Sequence, residues 1–254
     1  MSAAPSSGEA AAPRVQSVDR AMRILFAVAQ SKDGLKAAEV VAATGLPRQV
    51  CYHILHTLVT TGVLTRSGAG KYVLGLRVAT LVEGFRRHLA PPEYLAPIAR
   101  RAAEETGETA YASGWWDGEI VTLVTARGIY SVQAMEIAHG TYFDAHARAS
   151  GKLLLAFSEE AVRTDYLSSH KLNQRTKTTI TTLPALYEEF EKIRKLRYST
   201  DMEEFSTGLC CLAVGLGGGM QPPFALTLSA PAERFAQNFA SYLSVMQRIA
   251  SELS

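Results

Sequence analysis

"KAAEVVAATGLPRQVCYHILHTLVTTGVLTRSGAGKYVLG", Lys36 to Gly75, decides how the front of the chain folds. Its opening KAAEVVAAT reads as a short helix closed by Gly45, where a left-handed turn residue fits. Pro47 then falls at a first helical position, and the helix it opens runs to Gly62. Within it Val50, Cys51, Ile54, Leu55 and Leu58 recur at helical spacing and predict a buried stripe. Arg48, Gln49, Tyr52, His53 and His56 fall off that stripe. Two short apolar runs around Ser67 to Gly70 then read as a hairpin.

Upstream, Ser17 followed by VDRAMRILFAVAQ reads as a capped helix with Val18, Ala21, Met22, Leu25, Val28 and Ala29 inward. Helix, short helix, turn, third helix and basic hairpin is the order of a winged helix-turn-helix. Such a third helix enters the major groove of double-stranded DNA. Arg48, Gln49, Tyr52, His53 and His56 would present the reading face. Arg66 and Lys71 on the hairpin, with Arg14 or Arg20, would hold phosphates. A small helical domain used for protein contacts is the alternative. Charge favours DNA, because residues 13–90 carry 11 basic and 4 acidic side chains, a net +7. Residues 91–254 carry 15 and 19, a net −4, so one end suits a polyanion.

The chain is 254 residues long and 47% hydrophobic, enough for real cores. No apolar run approaches the roughly 20 residues of a membrane helix. Residues 1–14 read as a disordered arm without the apolar stretch of a secretory signal. Three cysteines, an odd number in no framework spacing, point to a reduced cytoplasm. Residues 15–75 would form the DNA-binding domain and 76–91 a linker helix stopped by Pro91 and Pro92. Leu76, Val78, Ala79, Leu81, Val82 and Phe85 give that helix a broad apolar stripe, suited to a second subunit or to its own domain.

Residues 92–254 change texture. EYLAPIARRAAEETGE reads as a helix, then TAYASGWW, EIVTLVTARG and YSVQAMEI as strands, with a hairpin turn at Asp117–Gly118. ASGKLLLAF, SEEAVRTDYL (capped by Ser158) and LPALYEEFEKIRKLRYS read as helices. LCCLAVGL and PFALTLSAP read as strands before a closing helix. This interleaving predicts an α+β body, an antiparallel sheet with flanking helices. Cys210 and Cys211 must point to opposite faces of their strand, so they cannot both line one pocket. SGAGKY lacks the spacing of a phosphate loop and GLGGGM that of a dinucleotide site. The six histidines show no metal spacing. Neither a cofactor nor a metal is expected.

Six stretches together carry a resemblance: VQSVDRAMRIL, GLPRQVCYHILHTLVTTGVL, YVLGLRV, HARASGKLLLAF, RYSTDMEEFSTGLCCLAVGL and FALTLSAP. From about Arg14 to Ser254 the chain resembles IclR-type transcriptional regulators. The resemblance implies a winged helix-turn-helix, a linker helix and a C-terminal effector-binding domain of GAF-like fold. It implies a homodimer or dimer of dimers that binds operator DNA, often as a repressor, and answers to a small organic acid of a catabolic pathway. It places effector contacts on Ala149, Ser150 and Gly151, where first-turn N–H groups and the helix dipole favour a carboxylate. It adds Asp201 with Cys211, then Thr227 and Ser229, and His146 just before the helix. His53 stands where relatives commonly carry Arg, and Cys210 where they are often basic.

Trp115 or Trp116 with Tyr130, Met135 and Phe143 would make part of the cavity apolar, suited to an aromatic or branched acid. Core packing would use the same residues. The rival to a regulator without catalytic residues is a cysteine-dependent enzyme, with Cys211 as nucleophile and His146 as base.

Overall fold

In the computed structural model, residues 14–89, 91–130, 143–217 and 221–252 are described. The chain divides into two compact units, one through His88 and one from Leu89 onward. The expected strand over 130–137 lies, beyond Tyr130, outside the described residues, and so do Met135 and the arm before Arg14.

The first unit runs α1 (Gln16–Gln30), α2 (Ala37–Thr44), α3 (Arg48–Thr60), β1 (Leu64–Arg66), β2 (Tyr72–Leu74) and α4 (Arg77–Leu89). Its core is Ile24, Val28, Val40, Cys51, Leu55, Leu64 and Tyr72, each fully buried side chain contributing about 1.5–3 kcal/mol. Gly45 closes α2 at φ +65°, returning its N–H to Val41. The Thr44 hydroxyl donates to the Val40 carbonyl at 2.7 Å, and Arg23 reaches the Thr44 carbonyl, which fixes the turn into α3. The hairpin pairs Leu64 with Leu74 and Arg66 with Tyr72, and Leu35 adds a bridge to Tyr72.

Three local expectations need correction here. Ser17 lies inside α1 and caps nothing: Val15 holds the N-cap position without a side-chain bond. Pro47 is the N-cap of α3 rather than its first helical residue. The buried face of α1 is Ile24 and Val28, while Val18 and Met22 are exposed with Val15 and Phe26. The helix therefore has two apolar stripes, and only one is buried within this unit among the described residues.

The second unit runs α5 (Leu95–Thr106), β3 (Thr109–Trp116), β4 (Glu119–Ala126), a 3-10 turn at Ala145–Ala147, α6 (Ala149–Phe157), α7 (Glu160–Ser169), α8 (Leu183–Leu196), β5 (Tyr198–Met202), β6 (Leu209–Leu216), β7 (Phe224–Pro231) and α9 (Ala232–Ser251). The strands form one antiparallel sheet in the order β4-β3-β7-β6-β5. Helices α5 and α9 cover one face through Leu212, Val214, Leu226, Leu228, Phe235 and Met246. On the other face α6 packs on β5, β6 and β7, with α8 behind it.

Asp117 and Gly118 both take positive φ, so β3 turns into β4 through a two-residue loop. Ser158 closes α6 instead of opening α7, which starts from Glu159. Tyr198 to Met202, expected partly as helix, is the edge strand β5. Arg197 at φ +63° ends α8 one residue earlier and redirects the chain.

Candidate functional site

The outer face of α3 is open. Cys51, Leu55 and Leu58 anchor it in the core, while Arg48, Gln49, Tyr52, His53 and His56 are exposed. The Arg48 guanidinium lies over the Tyr52 ring at 5.6 Å, which holds two of these side chains together. On the hairpin, Arg66 donates to the Tyr72 hydroxyl at 2.7 Å and stacks on its ring, and Lys71 is half-buried at the turn. Arg20 bonds Gln16 within α1, and Arg14 is exposed just before that helix.

A second constellation lies on the α6 face of the five-stranded sheet. Antiparallel register sets Asp201, Cys211, Ser229 and Thr109 in one row across four strands. Ser199, Ala213, Thr227 and Tyr111 form the next row on the same face. All eight residues are buried. A buried sheet face is ordinarily apolar, so this polar surface has a cost unless something bonds to it. The hydroxyls of Thr109, Ser113, Ser150, Ser199 and Thr227 have no hydrogen-bond partner among the described residues.

Helix α6 ends over this floor. Its first intrahelical bond runs from the Lys152 N–H to the Arg148 carbonyl at 2.9 Å, leaving the Ala149, Ser150 and Gly151 N–H groups as the first-turn donors. A Cβ on Gly151 would stand 2.1 Å from the Ala145 carbonyl oxygen, so the glycine lets the helix press on the 3-10 turn. Gly151 thus serves close backbone packing as well as the position expected for a ligand.

Burial dominates the electrostatics. It raises the Asp201 carboxyl to about 7, Glu204 adding to the rise; N–H groups of Glu204 (2.6 Å) and Phe205 (3.2 Å) oppose it. Burial likewise drives Cys211 and Tyr111 far above their usual ranges. The Cys211 sulfur sits 3.2 Å from the Ser229 hydroxyl oxygen. Such a thiol stays protonated and is no nucleophile. His146 is turned elsewhere, its Nε2 donating to the Asn173 carbonyl at 3.0 Å, and burial lowers its basicity. The proposed Cys211–His146 pair of an enzyme is therefore not assembled.

The aromatic wall forms only in part. Trp115 faces this side, packing edge-on against Tyr166 at 5.6 Å, whereas Trp116 is exposed on the opposite face. Phe143 stacks on Phe205 at 6.4 Å beside the floor. Tyr130 is misassigned: it lies against Gly107 at the end of α5, with Arg234 of α9 over its ring at 4.6 Å, on the sheet's other side.

Two residues escaped the sequence reading. Arg148 is buried to 2% exposure, donates one bond to Thr122 at 3.1 Å, and among the described residues has no partner for Nε or Nη1. Lys152 is fully buried, ion-paired to Glu204 and 3.8 Å from Glu189. A legible signal existed for the polar sheet face alone, because TAYAS alternates polar residues with a period of two. Among the described residues no three His, Cys, Asp or Glu side chains could hold a metal ion. No described helix is long and apolar enough to cross a membrane.

Comparison with known proteins gives two family matches. Residues 17–68 match the IclR helix-turn-helix domain, and residues 92–254 the bacterial transcriptional regulator IclR C-terminal domain. The chain is 27% identical to the transcriptional repressor IclR of Escherichia coli, over 96% of this chain and 88% of that protein. It is 25% identical to the acetate operon repressor of Salmonella typhimurium, over 92% and 86%. Its fold is similar to the crystal structure of IclR from Thermotoga maritima, at 26% identity, a TM-score of 0.62, and coverage of 94% and 97%. It is also similar to an IclR homologue from Microbacterium hydrocarbonoxydans complexed with 4-hydroxybenzoate, at 20% identity, a TM-score of 0.68, and coverage of 93% and 97%.

Proposed function

The chain belongs to the IclR family of bacterial transcriptional regulators, and from that premise we propose that it represses a catabolic operon under control of a small organic acid. Residues 15–75 bind operator DNA, 76–91 link, and 92–254 take up the effector. Arg48, Gln49, Tyr52, His53 and His56 meet base edges, while Arg66, Lys71, Arg14 and Arg20 meet phosphates. The effector lies between the first turn of α6 (Ala149, Ser150, Gly151) and the floor of Asp201, Cys211, Thr227 and Ser229. Trp115 and Phe143 stand at its margin. The observation that carries this reading is the buried polar sheet face with its unbonded hydroxyls.

The protein acts as a homodimer or dimer of dimers in the cytoplasm, where its DNA is. The apolar stripes left open on α1 and α4 support self-association. An effector with different affinities for two arrangements of the dimer shifts DNA binding by that difference. One structural neighbour holds 4-hydroxybenzoate, so aromatic acids belong beside short aliphatic ones in any screen. The test is thermal-shift screening of organic acids, repeated with a fragment of the chain's own promoter region. A ligand that raises melting and lowers retention of the fragment is expected. Acids that stabilise the protein yet leave DNA retention unchanged would sink the regulatory link.

A further inference from the structure

Arg148 is the N-cap residue of α6 and makes no capping bond, its backbone extended and its side chain turned inward over the sheet. Its guanidinium is a cation, and among the described residues only Nη2 has a hydrogen-bond partner, the neutral Thr122 hydroxyl. The Phe205 ring, 5.9 Å away, offers a face but no counter-charge. No carboxylate pairs with Arg148 among the described residues, although Lys152 on the same helix is neutralised by Glu204. A second positive element adds to it, because the helix N-terminus carries partial positive charge and three free N–H donors. A buried cation beside a helix N-terminus, with spare donors on both, is unfavourable for the empty protein. It becomes favourable when an anion arrives.

We propose that Arg148 is the anion-binding residue of this site, taking the effector's carboxylate together with the α6 first turn. This rests on the effector reading above and deepens it. The rest of the ligand is specified by the floor. Thr109, Ser113, Ser150, Ser199 and Thr227 offer hydroxyls unbonded among the described residues, and Asp201 another polar group. The ligand class is therefore a compact carboxylate with further oxygens, a hydroxy or keto acid, rather than a plain hydrocarbon acid.

The experiment uses the full chain, a panel of short hydroxy and keto acids with their deoxy analogues, and the Arg148→Met variant. Melting and calorimetric affinity are read for each. At least one oxygenated acid is expected to bind the wild type, with about 100-fold weaker binding to Arg148→Met. Its deoxy analogue should bind the wild type roughly tenfold more weakly. Without ligand the variant should melt no lower than the wild type, since an uncompensated charge has gone. Equal affinity of both proteins for an acid overturns Arg148's role while the effector reading stands. No response of the wild type to any acid overturns both. Markedly lower melting of the free variant makes Arg148 structural, and equal binding of the deoxy analogue overturns the ligand class.

Discussion

Asp201 is a carboxyl group placed where its charge is disfavoured. Its folded pKa of about 7 lies above that of the unfolded chain, so the folded protein binds more protons between about pH 4 and 7. Stability therefore falls as pH rises through that window and levels off above it, by roughly 1.4 kcal/mol per unit of separation at most. Glu204, raised by burial, adds in the same direction, while Lys152 opposes both. Asp201→Asn is expected to flatten the pH dependence of chemical denaturation between pH 4 and 7, and an unchanged slope would contradict this assignment. At Gly151 the constraint is steric. Alanine there would drive Cβ into the Ala145 backbone, costing about 3 kcal/mol or more in a denaturant titration. Residue types at both positions were legible in the sequence. Arg148 was not, because its importance comes from lacking a carboxylate partner among the described residues, and a one-dimensional sequence does not show which groups remain unpaired.

Among the elements, α9 is tied to the residue just before β3 by one fully buried carboxylate. Glu108 accepts from Arg234 Nε at 2.6 Å, Arg234 Nη2 at 2.9 Å and the Tyr242 hydroxyl at 2.9 Å. Glu108→Gln leaves that geometry but removes the charge, and a loss of about 2–4 kcal/mol is expected by urea unfolding. The linker helix makes a different prediction. Leu81 and Phe85 on α4 are exposed, as are Val18 and Phe26 on α1. A Leu81→Glu, Phe26→Asp double variant should shift sedimentation toward monomer while its melting stays within a few degrees of wild type. Unaltered assembly would place the interface elsewhere. Helices α1, α5 and α9 were readable because their apolar period is strong, and α2 because Gly45 marks its end. Strand β5 was hidden, since Arg197 ends α8 in a left-handed conformation that a non-glycine residue gives no reason to expect.

For the whole molecule, charge is the property that reaches furthest. A front of net +7 on a body of net −4 makes DNA affinity depend on counterion release. If a dimer meets six to ten phosphates, raising salt from about 50 to 200 mM should weaken operator retention by about 10³–10⁵. Tyr52→Ala with His53→Ala should abolish preference for the operator over unrelated DNA and leave that salt slope nearly intact. A retained preference would remove α3 as the reading element.

The sequence by itself determined the two-unit α+β plan, the exposed face of α3 and the opposite facing of Cys210 and Cys211. Each depends on periodicity along a single element, a local property of the chain. Only the tertiary structure decided that Tyr130 lies away from the cavity, that Trp115 rather than Trp116 faces it, and that Cys211 is a muffled thiol. These facts depend on which surfaces meet across strands and helices far apart in sequence. The same holds for Arg148, whose charge is plain in the sequence but whose isolation beside a helix N-terminus exists only once the sheet is folded beneath it.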